Sequence, residues 1–523
     1  MTVPRRLLQS HSDVPLFDDA ATRRIERRAA AALPPHVLMA RAGVALLRLA
    51  RAIAPGARRA WVAAGPGNNG GDGLVLATWL HRAGVDVSVS LVGHAGRALP
   101  PDAAWALAQA RDAGVRLRDD LPDASERARL DLCVDALLGV GQTRAPQGAL
   151  AAAIEALNET TAPVLCVDVP TGLFSDTGAA PGPRVRATHT LTLLTPKTGL
   201  FTSVGRETSG EIWFDDLGVT PLTDEAPVAT LTGEAAAAAL LPRRRHLANK
   251  GSFGDVHVAG GAAGMVGAAL LAAHAASLAG AGRVLVHAHS SDAGGVLPVD
   301  VRHPELMLRP VAELQAALRD NRRATVVAGC GGGDDVIAGL PGCLSNASRL
   351  VLDADALNAI ARDAGLRAQL RTRGTRALPT ILTPHPLEAA RLLDTTAAAV
   401  QADRFACARR LAADTGAVVV LKGSGTLIAT PGGRIAVNPT GDARLATAGT
   451  GDVLAGWIAG LWSAQPTPAA EADTGACKLA FEVAVAAVFI HGQACHAASS
   501  DRLPLVASEL IEAMARAVAT LAD

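Results

Sequence analysis

The sequence predicts an α/β protein of two domains. Short β-rich runs alternate with helical segments along most of the 523 residues, two glycine-rich turns each lead into a helical pattern, and the alternation lapses once, around Leu217 to Pro242. Such alternation builds parallel βαβ units, whose ligands sit beyond the carboxyl ends of the strands. The length also exceeds what a single hydrophobic core supports.

In the first half, apolar residues recur at helical spacing from Ile25 to Ala54, predicting a helix packed before the first strand. Strands are expected at Trp61 to Ala64, Val87 to Val92, Leu130 to Asp135, Val164 to Asp168 and Thr190 to Leu194. The first runs into Gly65-Pro66-Gly67-Asn68-Asn69-Gly70-Gly71-Asp72-Gly73, and a helix is expected from Leu74. Glycines let the backbone approach a ligand closely, and the new helix aims unpaired N–H groups at an anion such as phosphate. The turn also fits G-x-G-x-x-G, but the acidic residue that a redox dinucleotide site needs at the tip of the next strand is missing. Asn68, Asn69 and Asp72 add side-chain oxygen, which suggests a cation or sugar beside the phosphate.

Two further strand ends carry chemistry, Asp135 to Gly141 and Asp168-Val169-Pro170-Thr171-Gly172. Converging tips would place Asn69, Asp135 and Thr171 around one hard cation, since such ions take oxygen ligands. The same residue types also cap helices and turns, so both readings stand. Asp168 is suited to proton transfer or to gripping a ribose, or to a simple Asx-turn. Lys197 is a lone cation at another tip.

In the second half, strands are expected near Asp255 to Ala259, Arg283 to His287, Thr325 to Ala328, Leu350 to Asp353, Thr380 to Thr383 and Val418 to Lys422. Near the C-terminus, Thr447-Ala448-Gly449-Thr450-Gly451-Asp452 leads into a helical pattern. Its N–H groups suit a transferring phosphoryl group, and Asp452 is placed to take a proton from an attacking hydroxyl. An ordinary capped helix has the same pattern. Upstream, Lys422-Gly423-Ser424-Gly425-Thr426 follows a strand as a small-residue turn suited to an adenine nucleotide, and no Walker A sequence occurs.

Composition narrows the classes. Lys+Arg 49 balances Asp+Glu 49, so no broad positive field draws nucleic acid or anionic membrane, and aromatics at 3% with no tyrosine offer few base-stacking surfaces. Seven scattered cysteines without Cys-x-x-Cys favour a reducing compartment. No apolar signal core begins the chain and no run of about twenty uncharged apolar residues follows, so a cytoplasmic protein is expected. Neither a zinc-hydrolase motif nor a nucleophile elbow occurs.

Taken together, Leu38 to Gly43, the Gly65 to Gly73 turn, Asp135 to Gly141, Asp168 to Gly172 and Lys197 resemble the epimerase domain of NAD(P)H-hydrate repair enzymes. The resemblance implies a Rossmann-like three-layer α/β/α domain, placed at residues 1–225, that interconverts the R and S hydrates of NADH and NADPH. It implies a potassium ion on Asn69, Asp135 and Thr171. It also implies substrate contacts at Asn68, Asn69, Gly70, Gly71, Asp72, Gly139, Val140, Gly141, Gln142, Thr143, Arg144, Ala145 and Asp168, with Asp168 and Lys197 as catalytic residues.

The second half resembles the dehydratase domain of the same enzymes through His246 to Gly254, Gly260 to Leu271, Asp353 to Asn358, Pro384 to Glu388, Lys422 to Thr426 and Asn438 to Asp452. This implies a ribokinase-like α/β domain at residues 226–523 that uses ADP, with magnesium, to dehydrate the S form. By the resemblance Lys422, Gly423, Ser424, Gly425, Thr426 and Gly451 contact the nucleotide, and Ala268, Gly331, His385 and Asp452 contact the hydrate, Asp452 as base. Three places depart from the family pattern: Cys330 between Gly329 and Gly331 where proline is usual, Leu387 where glycine is usual, and Asp442-Ala443-Arg444 for Asn-Pro-Gly. The expected partners are NADH and NADPH hydrates and ADP, in a homo-oligomer with no nucleic acid or membrane. Two rivals remain open at this point, a ribokinase-like small-molecule kinase and a first domain that is only a scaffold.

Overall fold

The structure, a computed structural model, describes residues 3–8, 10–219, 225–289, 299–321, 323–466, 473–498 and 503–522. The chain divides into two compact units, residues 1–10 with 14–230 and residues 11–13 with 231–523.

The first unit is built on β1 (Arg5–Arg6), β2 (Arg59–Ala64), β3 (Asp86–Leu91), β4 (Arg116–Arg118), β5 (Leu132–Ala136), β6 (Val164–Val167), β7 (His189–Leu193) and β8 (Glu211–Asp215). They form one sheet in the order β1-β8-β7-β6-β5-β2-β3-β4, parallel throughout except for β1 on β8. Alternation along the strands sorts two cores. Val62, Ala64, Val134 and Ala136 face α2 (Val37–Ile53), α3 (Asn68–Arg82) and α4 (Pro101–Asp112), whereas Trp61, Ala63 and Cys133 face α5 (Ala149–Asn158). The strands missed by the sequence reading include short edges such as β4, Arg-Leu-Arg, whose charge hides the apolar pattern while protecting the edge.

Two expectations need correction. The helical run Ile25 to Ala54 is two helices, α1 (Asp19–Ala32) and α2, bent by 113° at a short break. Pro34 and Pro35 lie in that break, and proline supplies no N–H and disfavours helical backbone before it. The turn after β2 is also shorter than expected, because α3 begins at Asn68 rather than Leu74. Gly70 and Gly71 are therefore helical and buried, and they serve packing: a Cβ on Gly70 would lie 1.8 Å from Gly65 O.

The second unit uses β9 (Asp255–Gly260), β10 (Arg283–Ala288), β11 (Met307–Pro310), β12 (Thr325–Ala328), β13 (Arg349–Leu352), β14 (Thr380–Leu382), β15 (Val418–Leu421), β16 (Leu427–Ala429) and β17 (Ile435–Val437). Their order is β11-β10-β9-β12-β13-β14-β15-β16-β17, parallel as far as β15 and antiparallel from there. This is the helix-covered, mainly parallel sheet expected of a ribokinase-like unit. Two helices, α6 (Val266–Leu278) and α7 (Thr450–Ser463), touch backbone to backbone, since a Cβ on Gly456 would lie 2.0 Å from Ala272 O. Behind α7 runs α8 (Asp473–Ala497), whose segment Gly475–Ala497 has the length and hydropathy to cross a membrane. It is instead the core helix of this unit: Ala480, Val483, Ala484, Ala486, Ala487 and Ile490 are fully buried, and it packs on α7 and on α9 (Ala507–Ala522).

Candidate active sites

The carboxyl ends of the first sheet open on a cavity of about 1450 Å³. Asn68, Asn69, Asp72, Gly139 to Ala145, Asp168 and Lys197 all line it, while Gly70 and Gly71 do not. The segment after β5 is clipped to the Thr171-Gly172 turn by Gln142, whose Oε1 accepts from Gly172 N at 2.7 Å and whose Nε2 donates to Gly139 O at 3.0 Å.

Asp168 follows β6 with φ 65°, a left-handed conformation uncommon outside glycine. Its side chain meets Lys197, which is 1% exposed and donates from Nζ to Asp168 Oδ1 and, at 2.6 Å, to Leu193 O. Leu193 N also donates to Oδ1, at 3.1 Å, so one carboxylate oxygen is fully engaged. The other accepts no hydrogen bond from the described residues and belongs to a carboxylate on the cavity wall. Glu26 and Asp72 share that wall, and burial first, then repulsion from Asp168, raises both above the usual carboxylate range.

Behind this pair lies Asp135, wholly buried. It accepts from Thr171 N at 2.8 Å, Thr171 Oγ1 at 2.7 Å, Leu137 N at 3.2 Å and Cys166 Sγ at 3.3 Å, and burial raises its pKa. Among the described residues no side-chain cation pairs with it. Asn69 packs against Gly139, and its amide Nδ2 is buried without a partner. With the amide ends interchanged, an oxygen fills that position. An unneutralised buried carboxylate and a partnerless buried amide at the ends of adjacent strands fit a monovalent cation with oxygen ligands.

In the second unit, α7 starts behind Gly449, and Asp452 lies in its first turn. Asp452, Asp353 and Cys330 bring ligand atoms within 4.8 Å of one another. Lys422 Nζ donates to Asp353 Oδ1 at 2.8 Å, and Thr383 Oγ1 donates to the same oxygen at 2.8 Å. A Cβ on Gly451 would lie 3.1 Å from Lys422 Nζ, so the start of α7 adjoins the Lys422 to Thr426 turn. Burial opposes the Lys422 charge, but Asp353 and Glu388 together more than offset it and the pKa is raised. Burial, followed by repulsion from Asp353, pushes Asp452 up to about 6.

His385 caps the next helix, Pro386–Leu392, in a reciprocal box with Glu388, whose Oε2 accepts from His385 N at 2.8 Å. Burial raises Glu388 to about 7. Ala268 and Gly331 meet next to Cys330: a Cβ on Gly331 would lie 2.9 Å from Ala268 Cβ. Of the three departures, Cys330 is buried against Asp452, Leu387 is exposed, and Asp442 with Arg444 forms an ion pair at 2.7 Å in place of a proline-glycine turn.

Comparison with known proteins decides the family. Residues 35–199 match the family described as YjeF-related protein N-terminus, and residues 256–516 match NAD(P)H-hydrate dehydratase. Over 504 residues the chain is 33% identical to the bifunctional NAD(P)H-hydrate repair enzyme of Escherichia coli, covering 95% of this chain and 92% of the relative. The chain belongs to the bifunctional NAD(P)H-hydrate repair enzymes. The Coxiella burnetii member is 36% identical over 495 residues, covering 93% and 95% of the two chains. A Bacillus subtilis ADP/ATP-dependent NAD(P)H-hydrate dehydratase, crystallised with ATP and Mg²⁺, is 28% identical, with a TM-score of 0.44 over 55% of this chain and 97% of that one.

Several residues of this repair enzyme escape a sequence reading. Asp353 is the partner of Lys422 although 69 residues separate them. Glu388 does carry a local signal, an acid three residues after a helix cap. Arg404 has none. It is fully buried in helix Arg404–Thr415, and burial lowers it to about 10. Its guanidinium bonds the carbonyls of Leu421 at 3.1 Å and Lys422 at 3.3 Å from beneath the proposed nucleotide turn, and Gln401 Oε1 at 3.0 Å. Arg404→Ala leaves those acceptors unpaired at a cost of roughly 1–3 kcal/mol. We expect a lower melting temperature and a nucleotide KM raised about tenfold or more, with Arg404→Lys recovering little because an ammonium lacks the planar fork. Unchanged nucleotide KM in a folded Arg404→Ala enzyme would show that the turn does not depend on Arg404.

Proposed function

We propose that residues 1–225 epimerise the R and S hydrates of NADH and NADPH and that residues 226–523 dehydrate the S form with ADP, in the cytoplasm. The observation that carries this reading is the large cavity closed by the buried Asp168–Lys197 pair, in a chain whose other unit holds an elevated-pKa carboxylate at a glycine-rich helix start.

In the first unit the free oxygen of Asp168 takes the proton of the C6 hydroxyl, while Lys197 holds the carboxylate in place. The resulting alkoxide opens the hemiaminal by breaking the C6–N1 bond to give an aldehyde, with N1 keeping the electron pair and taking the proton from Asp168. N1 then re-adds to the opposite face of the carbonyl and its proton passes back to the oxygen, which inverts that centre. Asn69, Asp135 and Thr171 would hold a potassium ion, which supplies positive charge that neutralises Asp135 and stiffens the strand tips.

In the second unit Asp452 accepts the C6 hydroxyl proton as that oxygen attacks the β-phosphorus of ADP and AMP departs. N–H groups at the start of α7 stabilise the transferring phosphoryl group, and Lys422 lies beside them. The phosphorylated oxygen then leaves as phosphate, driven by the ring nitrogen lone pair, and loss of a C5 proton restores the reduced nicotinamide. Asp353 is already bonded by Lys422 and Thr383. Magnesium would fit as an ion carried on the nucleotide phosphates, whose charge it would neutralise, with Asp353 as its single protein ligand.

As Asp452 is a base only when ionised, dehydration should fall as the pH drops through about 6 and level off above it. A kcat profile flat between pH 5 and 8 would remove Asp452 from that role. The reading as a whole is tested with mixed R and S hydrates, magnesium and either ADP or ATP, following absorbance of the reduced nicotinamide. Full recovery from both epimers is expected. Recovery of the S form alone would leave the first unit a scaffold, and lasting phosphorylation without recovery would make the second unit a small-molecule kinase.

A further inference from the structure

The strand order around the cavity says which way a dinucleotide lies in it. Reading β4-β3-β2-β5-β6-β7, chain direction across the sheet reverses between β2 and β5, and ligands of such sheets occupy the crevice at that reversal. The cavity sits there. Pro66 to Asn69 line it from the turn after β2, and Leu137 to Gln147 from the segment after β5. At one end stand Asp168 and Lys197, beyond β6 and β7. At the other end stand Arg97 and Ala98, which follow β3, and His36.

With the hydrated ring at Asp168 and the diphosphate over the start of α3, the adenosine half must run toward β3. In dinucleotide folds the tip after that second strand reads the adenosine ribose: a carboxylate there accepts from a free 2′-hydroxyl, and an arginine takes a 2′-phosphate. Residues 92–98 contain no carboxylate and one arginine, Arg97. Its side chain is exposed on the cavity rim, and among the described residues it has no ion pair or side-chain hydrogen bond. Among the described residues the acid on that rim is Asp102, and it is already held by His36 Nδ1 at 2.6 Å, with the His36 ring stacked 4.8 Å from Trp105. Thus the rim offers an uncommitted guanidinium and no uncommitted carboxylate.

We propose that the first unit prefers the 2′-phosphorylated hydrate, that of NADPH, and that Arg97 is the specificity-determining residue, binding the 2′-phosphate. This rests on the epimerase reading given above. The guanidinium forms paired, charge-assisted hydrogen bonds to phosphate, whereas it finds only a neutral hydroxyl on the NADH hydrate.

The test is the initial rate of R-to-S conversion by the full chain, without ADP or ATP so that no dehydration follows, on each hydrate separately. In the wild type kcat/KM should favour NADPH hydrate by about tenfold or more, mainly through KM. Arg97→Ala should bring the ratio of the two close to one, Arg97→Lys should keep part of it, and added salt should erode it. A wild-type ratio near one overturns the inference and leaves the epimerase reading standing, as does an Arg97→Ala variant that loses both substrates in step. A wild type that epimerises neither hydrate overturns both.

Discussion

Asp452→Asn should abolish dehydration, lowering kcat by about 10²- to 10⁴-fold, the usual yield of a positioned base, while R and S hydrates still interconvert. Isosteric amide keeps the first turn of α7 and the contact with Cys330, but it cannot take a proton. The elevated pKa of Asp452 comes from burial and the neighbouring Asp353, so the substitution removes one of two like charges crowded beside a single lysine. Stability should therefore hold or improve, and lost activity is not explained by unfolding. The readout is recovery of reduced nicotinamide from S hydrate with ADP, against epimerisation measured on the same sample. Retained dehydration would transfer the base to another group, and Glu388, pushed up to about 7 nearby, would be the next residue to replace.

The converse experiment carries a structural penalty. Asp168→Asn should lower epimerisation by a comparable factor of about 10²–10⁴, with ADP-dependent dehydration of the S form unaffected. Yet Lys197 is buried, and removing its anion leaves an unpaired charge, at roughly 3–5 kcal/mol. Thermal melting will report that cost. A second variant, Asp168→Asn with Lys197→Met, removes both charges and should regain stability without regaining epimerisation. Rescue of activity along with stability in the double variant would mean that Asp168 is structural. Parallel loss of both activities in either the Asp452 or the Asp168 variant would sink the assignment of one reaction to each unit.

How much of this was legible depends on the range of the interaction involved. Both α/β units, most of their parallel strands and the strand-tip positions of Asp135, Asp168, Lys197 and Lys422 follow from local patterns, since side-chain alternation and turn residues act over a few neighbours. The Gly70-Gly71 pair shows where that fails. Glycine reads as loop, but here a helix needs it to approach the backbone of Gly65, and nothing in the nine-residue turn distinguishes the two uses. Arg404 shows the same limit for polar residues. An arginine on a helix reads as a solvated surface charge until the carbonyls it meets, 17 and 18 residues onward, are brought against it.

By itself, then, the sequence determined the fold class, the chemistry available at each strand end and the family to which those motifs belong. Only the tertiary structure decided that Asp168 and Lys197 form one buried pair, that Asp135 has no side-chain cation among the described residues, that Lys422 answers to Asp353, and that Arg97 stands at the far end of the same cavity. The reason is physical. Propensity and periodicity are written into adjacent residues, but burial, pairing and the direction of a cavity arise when distant segments meet and exclude water, and that meeting shifts pKa values and commits some charges while leaving others free.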